Sequence, residues 1–195
     1  MKGNAFVGFI PWIIFWVLAG PSTWEWATLG ATIAAVILAI PSIERGRPKI
    51  LEIFTIIVFG GLSLISLFID HAALSFLEDY AQVISNGLLA VIALGSLLFT
   101  PFTEQYARET VLREVWNSPV FKRTNRVLTA MWGTIFLLSA LCRLAADIWP
   151  SGSELFQWII PIALIVGGLK FMAWYIEHVR REQRAPDASE SRPVY

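Results

Sequence analysis

Six apolar stretches, at about residues 5–19, 27–43, 50–69, 81–100, 128–146 and 155–176, divide the chain, and the charges in the loops between them sort by sign. Most of these stretches approach the ~20 residues that an α-helix needs to cross a bilayer. Threaded alternately, they place Lys2, Arg45, Arg47, Lys49, Arg108, Arg113, Lys122, Arg123, Arg126, Arg180, Arg181 and Arg184 on one side. The other side receives Glu25, Asp70, Glu78, Asp79, Asp147 and Glu154, and neither Lys nor Arg. Cytoplasmic loops carry the Lys and Arg excess in membrane proteins, so the pattern predicts an all-α polytopic bundle of six spans with both termini cytoplasmic. Residues 1–184 then form a single transmembrane domain, and the polar, aperiodic segment 185–195 reads as a disordered cytoplasmic tail.

Composition agrees. Hydrophobic residues make up 56% of the chain, where soluble domains run nearer ~45–50%, and the mean hydropathy is +0.61. The net charge of zero averages over segregated loops, so the basic loops face lipid headgroups and carry no nucleic-acid footprint. Cys142 is the sole cysteine, which excludes an intramolecular disulfide and a cysteine metal cluster.

Lys2 followed by an apolar run has the outline of a signal peptide. Pro11 and the large aromatics Phe6, Phe9, Trp12, Phe15 and Trp16 instead predict a retained helix packed among others, though fifteen residues reach only ~22 Å. Gly20-Pro21-Ser22-Thr23 and Pro150-Ser151-Gly152-Ser153 break the chain on the outer side, and Trp24, Trp26, Trp149 and Trp158 read as interfacial anchors. The large loop, 101–127, alternates Phe102, Tyr106, Val111, Leu112, Val115 and Trp116 with charges, which predicts a cytoplasmic interfacial helix between spans 4 and 5. Thr100-Pro101 and Ser118-Pro119 read as helix starts. This segment is either a membrane-surface connector or a docking surface, with Tyr106, Arg108 and Trp116 as the candidate contacts.

Small residues locate helix contacts. Ala27, Ala31, Ala35 and Ala39 form a ladder widened by Gly30 and Ala34, and Gly60-Gly61, Gly87, Gly95 and Gly167-Gly168 offer further close approaches. Such faces also leave room for a homo-oligomer. Ile57-Val58-Phe59-Gly60-Gly61-Leu62 and Ile165-Val166-Gly167-Gly168-Leu169 are alike, as two inverted three-helix halves would be. Charges inside spans are the places to seek function, since each costs about 2.5–3.5 kcal/mol at a helix centre. Lys170 and Arg143 are the candidates, with Glu52 a partner for Lys170, and Asp70 or Asp147 for Arg143. Asn86 reads as an interhelical hydrogen bond and His71 as interfacial. With dispersed His71, Cys142 and His178, and no phosphate-loop, zinc-protease or serine-hydrolase motif, the sequence predicts no enzyme, metal or cofactor.

Phe6, Phe9, Pro11-Trp12 and Phe15, then Val58-Phe59-Gly60-Gly61-Leu62-Ser63-Leu64, then Val115-Trp116, Asn125 and Trp132, followed by a last helix with a basic tail, resemble the intracellular septation protein A family. The likeness covers most of residues 4–184, and the added segment 101–109 marks a divergent member. The resemblance implies a multi-pass protein of the bacterial inner membrane, linked to septation and envelope maintenance through other membrane proteins, with no catalytic residues to carry over. The alternative from the residues is a small transporter or channel using Lys170, Arg143, Glu52 and Asn86.

Overall fold

The computed structural model describes residues 5–20, 23–69, 71–149 and 152–190, and every regular element among them is helical. A 3-10 turn, Ala5–Phe9, leads into α1 (Ile10–Leu18), followed by α2 (Trp24–Glu44), α3 (Ile50–Ser66), α4 (His71–Asp79), α5 (Ala81–Ser96), α6 (Phe102–Ala107), α7 (Pro119–Ile148) and α8 (Ile160–Glu190). Pro11 sits in the first turn of α1, where its missing N–H breaks no helical bond. Ser118 caps α7 as its sequence predicts, accepting a hydrogen bond from Phe121 N–H at 3.1 Å with Pro119 behind it. A π turn, Leu155–Ile159, precedes α8, next to Pro161, which has no N–H to give the regular ladder.

Three helical segments are long and apolar enough to cross a membrane: Trp24–Glu44, Pro119–Ile148 and Leu155–Gln183. The apolar helices Val7–Leu18, Ile50–Ser66 and Ala81–Ser96 are shorter, and even 17 residues reach only ~26 Å. Two of the predicted spans are therefore trimmed. Residues 67–69 and 97–99 are apolar but turned, and after the second turn Ser96 accepts the Phe102 N–H at 3.1 Å. Between α3 and α5 lies α4, a helix that the sequence did not lead one to expect. The anticipated interfacial helix is only the six residues of α6 plus a 3-10 turn at Arg113–Val115, and Pro101, not Thr100, stands at its N-cap. At the other end α8 continues to Glu190, into the segment whose composition suggests disorder. Lys2, Pro21, Ser22, Asp70, Pro150, Ser151 and Arg192 lie outside the described residues, as do the side chains of Phe6, His71 and Arg184.

The core forms around α1. Trp12, Phe15, Trp24 and Phe59 are fully buried, with Phe15 edge-on to Trp24 and Trp12 edge-on to Phe59. Trp24 is thus a core residue and no anchor, whereas Trp26, Trp149 and Trp158 are exposed. Ala27, Ala31, Ala35 and Ala39 are all buried along α2, as the ladder predicts. Lipid is as apolar as leucine, so such helices are held by close packing and polar contacts more than by the hydrophobic effect. Trp12 Nε1 donates to Thr55 Oγ1 and Trp16 Nε1 to Ser85 Oγ, each at 2.9 Å, and Thr32 meets Ser63 at 3.2 Å.

The glycines divide. A Cβ on Gly133 would stand 2.7 Å from Leu94 Cγ, and one on Gly168 would overlap Ile135 Cδ1. Gly61, Gly87, Gly95 and Gly167 face open space, so they are not the close-approach points their sequence suggests. The likeness of the two Gly-Gly stretches does not extend to their surroundings.

Candidate functional site at the basic end of the bundle

One end of the bundle gathers most of the polar chemistry. The chain leaves α2 through Arg45-Gly46-Arg47-Pro48, where Gly46 has φ of 65°, a left-handed conformation that a side chain would strain. It enters α3 at Lys49, and Glu52 three residues on accepts the Lys49 N–H at 3.4 Å, an N-terminal capping contact. The next free N–H of the helix start, Ile50, donates to Gln105 Oε1 at 2.7 Å, and Gln105 Nε2 donates to Thr100 O at 3.0 Å. The N-terminus of α3 is therefore stitched to the α5–α7 connection.

Lys49 is the centre of this clasp. Its Nζ lies 2.8 Å from Glu52 Oε1 and 2.7 Å from Glu109 Oε1, and 4.7 Å from the centroid of the Tyr106 ring. Ser42, near the end of α2, donates to the second Glu52 oxygen. Burial alone would lower the lysine pKa, but the hydrogen bonds and charges of Glu109 and Glu52 outweigh it and raise it. The clasp thus keeps an ammonium charged. Burial, aided by the charges of Glu52 and Glu109, pushes the Tyr106 phenol well above its ordinary value, so it keeps its proton. That hydroxyl is buried against Gly8 and has no hydrogen-bond partner among the described residues.

Beside the clasp, Arg108 Nη2 meets the buried carboxylate of Glu104 at 2.5 Å. Trp116, half-buried, has three guanidinium carbons near its ring: Arg108 at 5.3 Å, Arg113 at 5.7 Å and Arg47 at 5.8 Å. Arg47 and Arg113 are exposed and have no ion pair among the described residues. A cation over an indole face gains ~0.5–1 kcal/mol where solvent reaches it, so the ring steadies like charges that would otherwise repel.

Next to this lies a cleft of about 650 Å³ between α1, α6, the connection after it, α7 and α8. Ile13, Phe102, Trp132, Phe136, Ile165 and Met172 give it apolar walls, and Arg180 and Gln183 lie at one end. A second, much smaller gap of about 10 Å³ touches Glu52 and Thr55.

Of the residues singled out by sequence, Arg108 and Trp116 come together, and Glu52 joins them through Lys49, Tyr106 and Glu109. Tyr106 is buried and is not part of an exposed docking face. Glu52 pairs with Lys49 and not with Lys170, which is exposed on α8 without an ion pair among the described residues. Arg143 meets Asp147 at 3.5 Å one turn along α7. Asn86 donates to Gln82 O at 2.9 Å within its own helix, so it is no interhelical bond. Lys170, Arg143 and Asn86 line neither cavity. Lys49, read only as a loop charge, and Glu104 and Glu109 were not among the candidate site residues. The three- and four-residue spacings of Lys49 to Glu52 and Glu104 to Arg108 could have shown two of the pairs, but nothing local links Lys49 to Glu109.

Among the described residues no group of three or more His, Cys, Asp or Glu could hold a metal ion. The chemistry on offer is binding through fixed positive charge. Comparison with family models, curated proteins and solved structures gives no match for this chain.

Proposed function

We propose that this is a non-catalytic integral membrane protein of the bacterial inner membrane that works by binding acidic segments of other membrane proteins. Six spans with both termini cytoplasmic, and a place in envelope maintenance or septation as in the septation protein A family it resembles, complete the reading. The observation that carries it is the group of guanidiniums around Trp116, two of them without a carboxylate partner among the described residues. A charged surface held by a buried clasp loses little freedom on binding, which suits it to recognition.

Contacts support the topology. The start of α1, the end of α2, the start of α3, the α5–α7 connection and the start of α7 meet through Gly8 and Tyr106, Ser42 and Glu52, Lys49 and Glu109, and Thr103 and Asn125. The residues 179–183 of α8 border the same region. That the connections carrying Arg47, Lys49, Arg108 and Arg113 meet at one end supports this reading.

A photoreactive residue at the exposed position 112, beside Arg113, in native membranes is the test. It should cross-link a discrete set of membrane proteins through acidic segments, and Arg47→Glu with Arg113→Glu should lose them while insertion persists. An unchanged set of cross-links would sink the reading. A transporter would need Lys170, Arg143, Glu52 and Asn86 on one path, and solute flux in proteoliposomes that disappears in Lys170→Ala would replace our proposal with that one.

A further inference from the structure

We propose that the cleft between α1, α6, α7 and α8 holds one acyl chain of an anionic phospholipid, with the headgroup phosphate at Arg180. Its shape comes first. Wall residues run from Ser118 to Phe136 on α7 and from Ile165 to Gln183 on α8, about 27 Å in each case at the helical rise. A volume of about 650 Å³ drawn out over that length makes a long, narrow cleft that suits an extended hydrocarbon chain.

The lining is graded. Trp16, Ile13, Trp132, Phe136 and Ile165 make one end apolar, while Thr110, Ser118, Arg180 and Gln183 are at the other. Between them, Thr103 and Asn125 turn their polar atoms to the protein: the Thr103 hydroxyl donates to Asn125 O at 2.9 Å and Asn125 Nδ2 to Phe121 O at 2.8 Å. These walls suit hydrocarbon better than a polar solute, which would leave its own groups unpaired.

Charge selects the head. No carboxylate lines the cleft, and Arg180 has no ion pair among the described residues. Lys122 and Arg123 are exposed between the lining residues Phe121 and Thr124, so the same end is basic twice over. One wall is α8, whose apolar window is only 6% buried, so the cleft borders the surface that lipid covers. Anionic lipid from the adjoining leaflet is the occupant that meets all three conditions. This proposal does not depend on the docking surface around Trp116.

The full chain, purified in detergent, is equilibrated with equal amounts of phosphatidylglycerol and phosphatidylethanolamine of identical chains and examined by native mass spectrometry. One phosphatidylglycerol should stay bound per chain at roughly tenfold preference. Arg180→Ala should cut that preference severalfold, Lys122→Ala and Arg123→Ala added to it should bring the two lipids to parity, and Thr124→Phe, which fills the cleft, should remove both. Because Thr124→Phe can fail to fold, phosphatidylglycerol bearing a diazirine at the chain end is also cross-linked to the unaltered protein. Labels should concentrate on peptides holding Phe136 and Ile165. Equal retention of both lipids with no effect of Arg180→Ala overturns the proposal. So do labels spread evenly over the outer faces of α2 and α8, or a second copy of the chain cross-linked at the cleft.

Discussion

α7 and α8 have almost the same length, 30 and 31 residues, and both are apolar enough to cross a bilayer, yet 44% of the apolar window of α7 is buried and 6% of that of α8. Hydropathy does not separate them. What does is the residue presented to the neighbour. α7 lays Gly133 against Ala93 and Leu94 of α5 and buries Thr129 and Asn125 beneath α6, so it is gripped on two sides. α8 presses Gly168 against Ile135 and leaves Gly167 and Lys170 facing outward. One helix is a structural axis; the other is a wall with a free side.

The comparison can be broken most directly at the glycines. Gly133→Leu forces side-chain atoms into Leu94 and Ala93 and should cost about 3 kcal/mol by overpacking. Gly167→Leu on α8 should stay within ~0.5 kcal/mol of the parent. Thermal melts in detergent check the pair, and equal losses would mean that both helices are gripped alike. Next in size is Thr129→Val. It removes the hydroxyl that meets Thr103 Oγ1 at 2.8 Å and the Thr103 N–H at 3.4 Å, a loss of about 1–2 kcal/mol. Hydrogen exchange should then rise in α6 and leave α8 unchanged.

Gly168→Ala should cost less than ~1 kcal/mol, because its added methyl meets the free end of the Ile135 side chain, which can turn aside. A larger drop in melting temperature would show α8 to be held more tightly than its exposure suggests. The smallest effect belongs to Lys170→Leu. With no ion pair to lose among the described residues, stability in detergent should hold or rise by a few tenths of a kcal/mol. A loss of 2 kcal/mol or more, on the scale expected when a buried pair is broken, would mean that Lys170 has a partner in the assembled protein.

Much of this was legible in the chain. The alanine ladder on α2, the cap at Ser118, the packed aromatics of α1 and the pairing of Arg143 with Asp147 all follow from spacing within one or two turns, which local rules read well. The rest depends on residues far apart in sequence. That Tyr106 is buried follows from its position between Lys49 and Gly8, and nothing in the alternation of 101–127 carries that information. The shortness of α3 and α5 was hidden because leucine and phenylalanine look the same to hydropathy in a turn as in a helix. Phe68 and Phe99 are among the most exposed apolar side chains in the molecule for this reason. Glycine was the least legible residue, since Gly61 and Gly133 differ only in what lies opposite.

The packing of the first helix also sets an order of events during synthesis. Trp12 finds Thr55 43 residues later, Phe9 rests on Phe102 and Phe136, and Gly8 lies under Tyr106. At a translation rate of about 5–20 residues per second, α1 waits several seconds or longer for Phe102 and Phe136 to be made. Chains halted on the ribosome before residue 102 should leave a cysteine at position 9 open to a thiol reagent, and chains halted well past residue 136 should close it. Among the described helices, the one made first is completed only when α7 has been made.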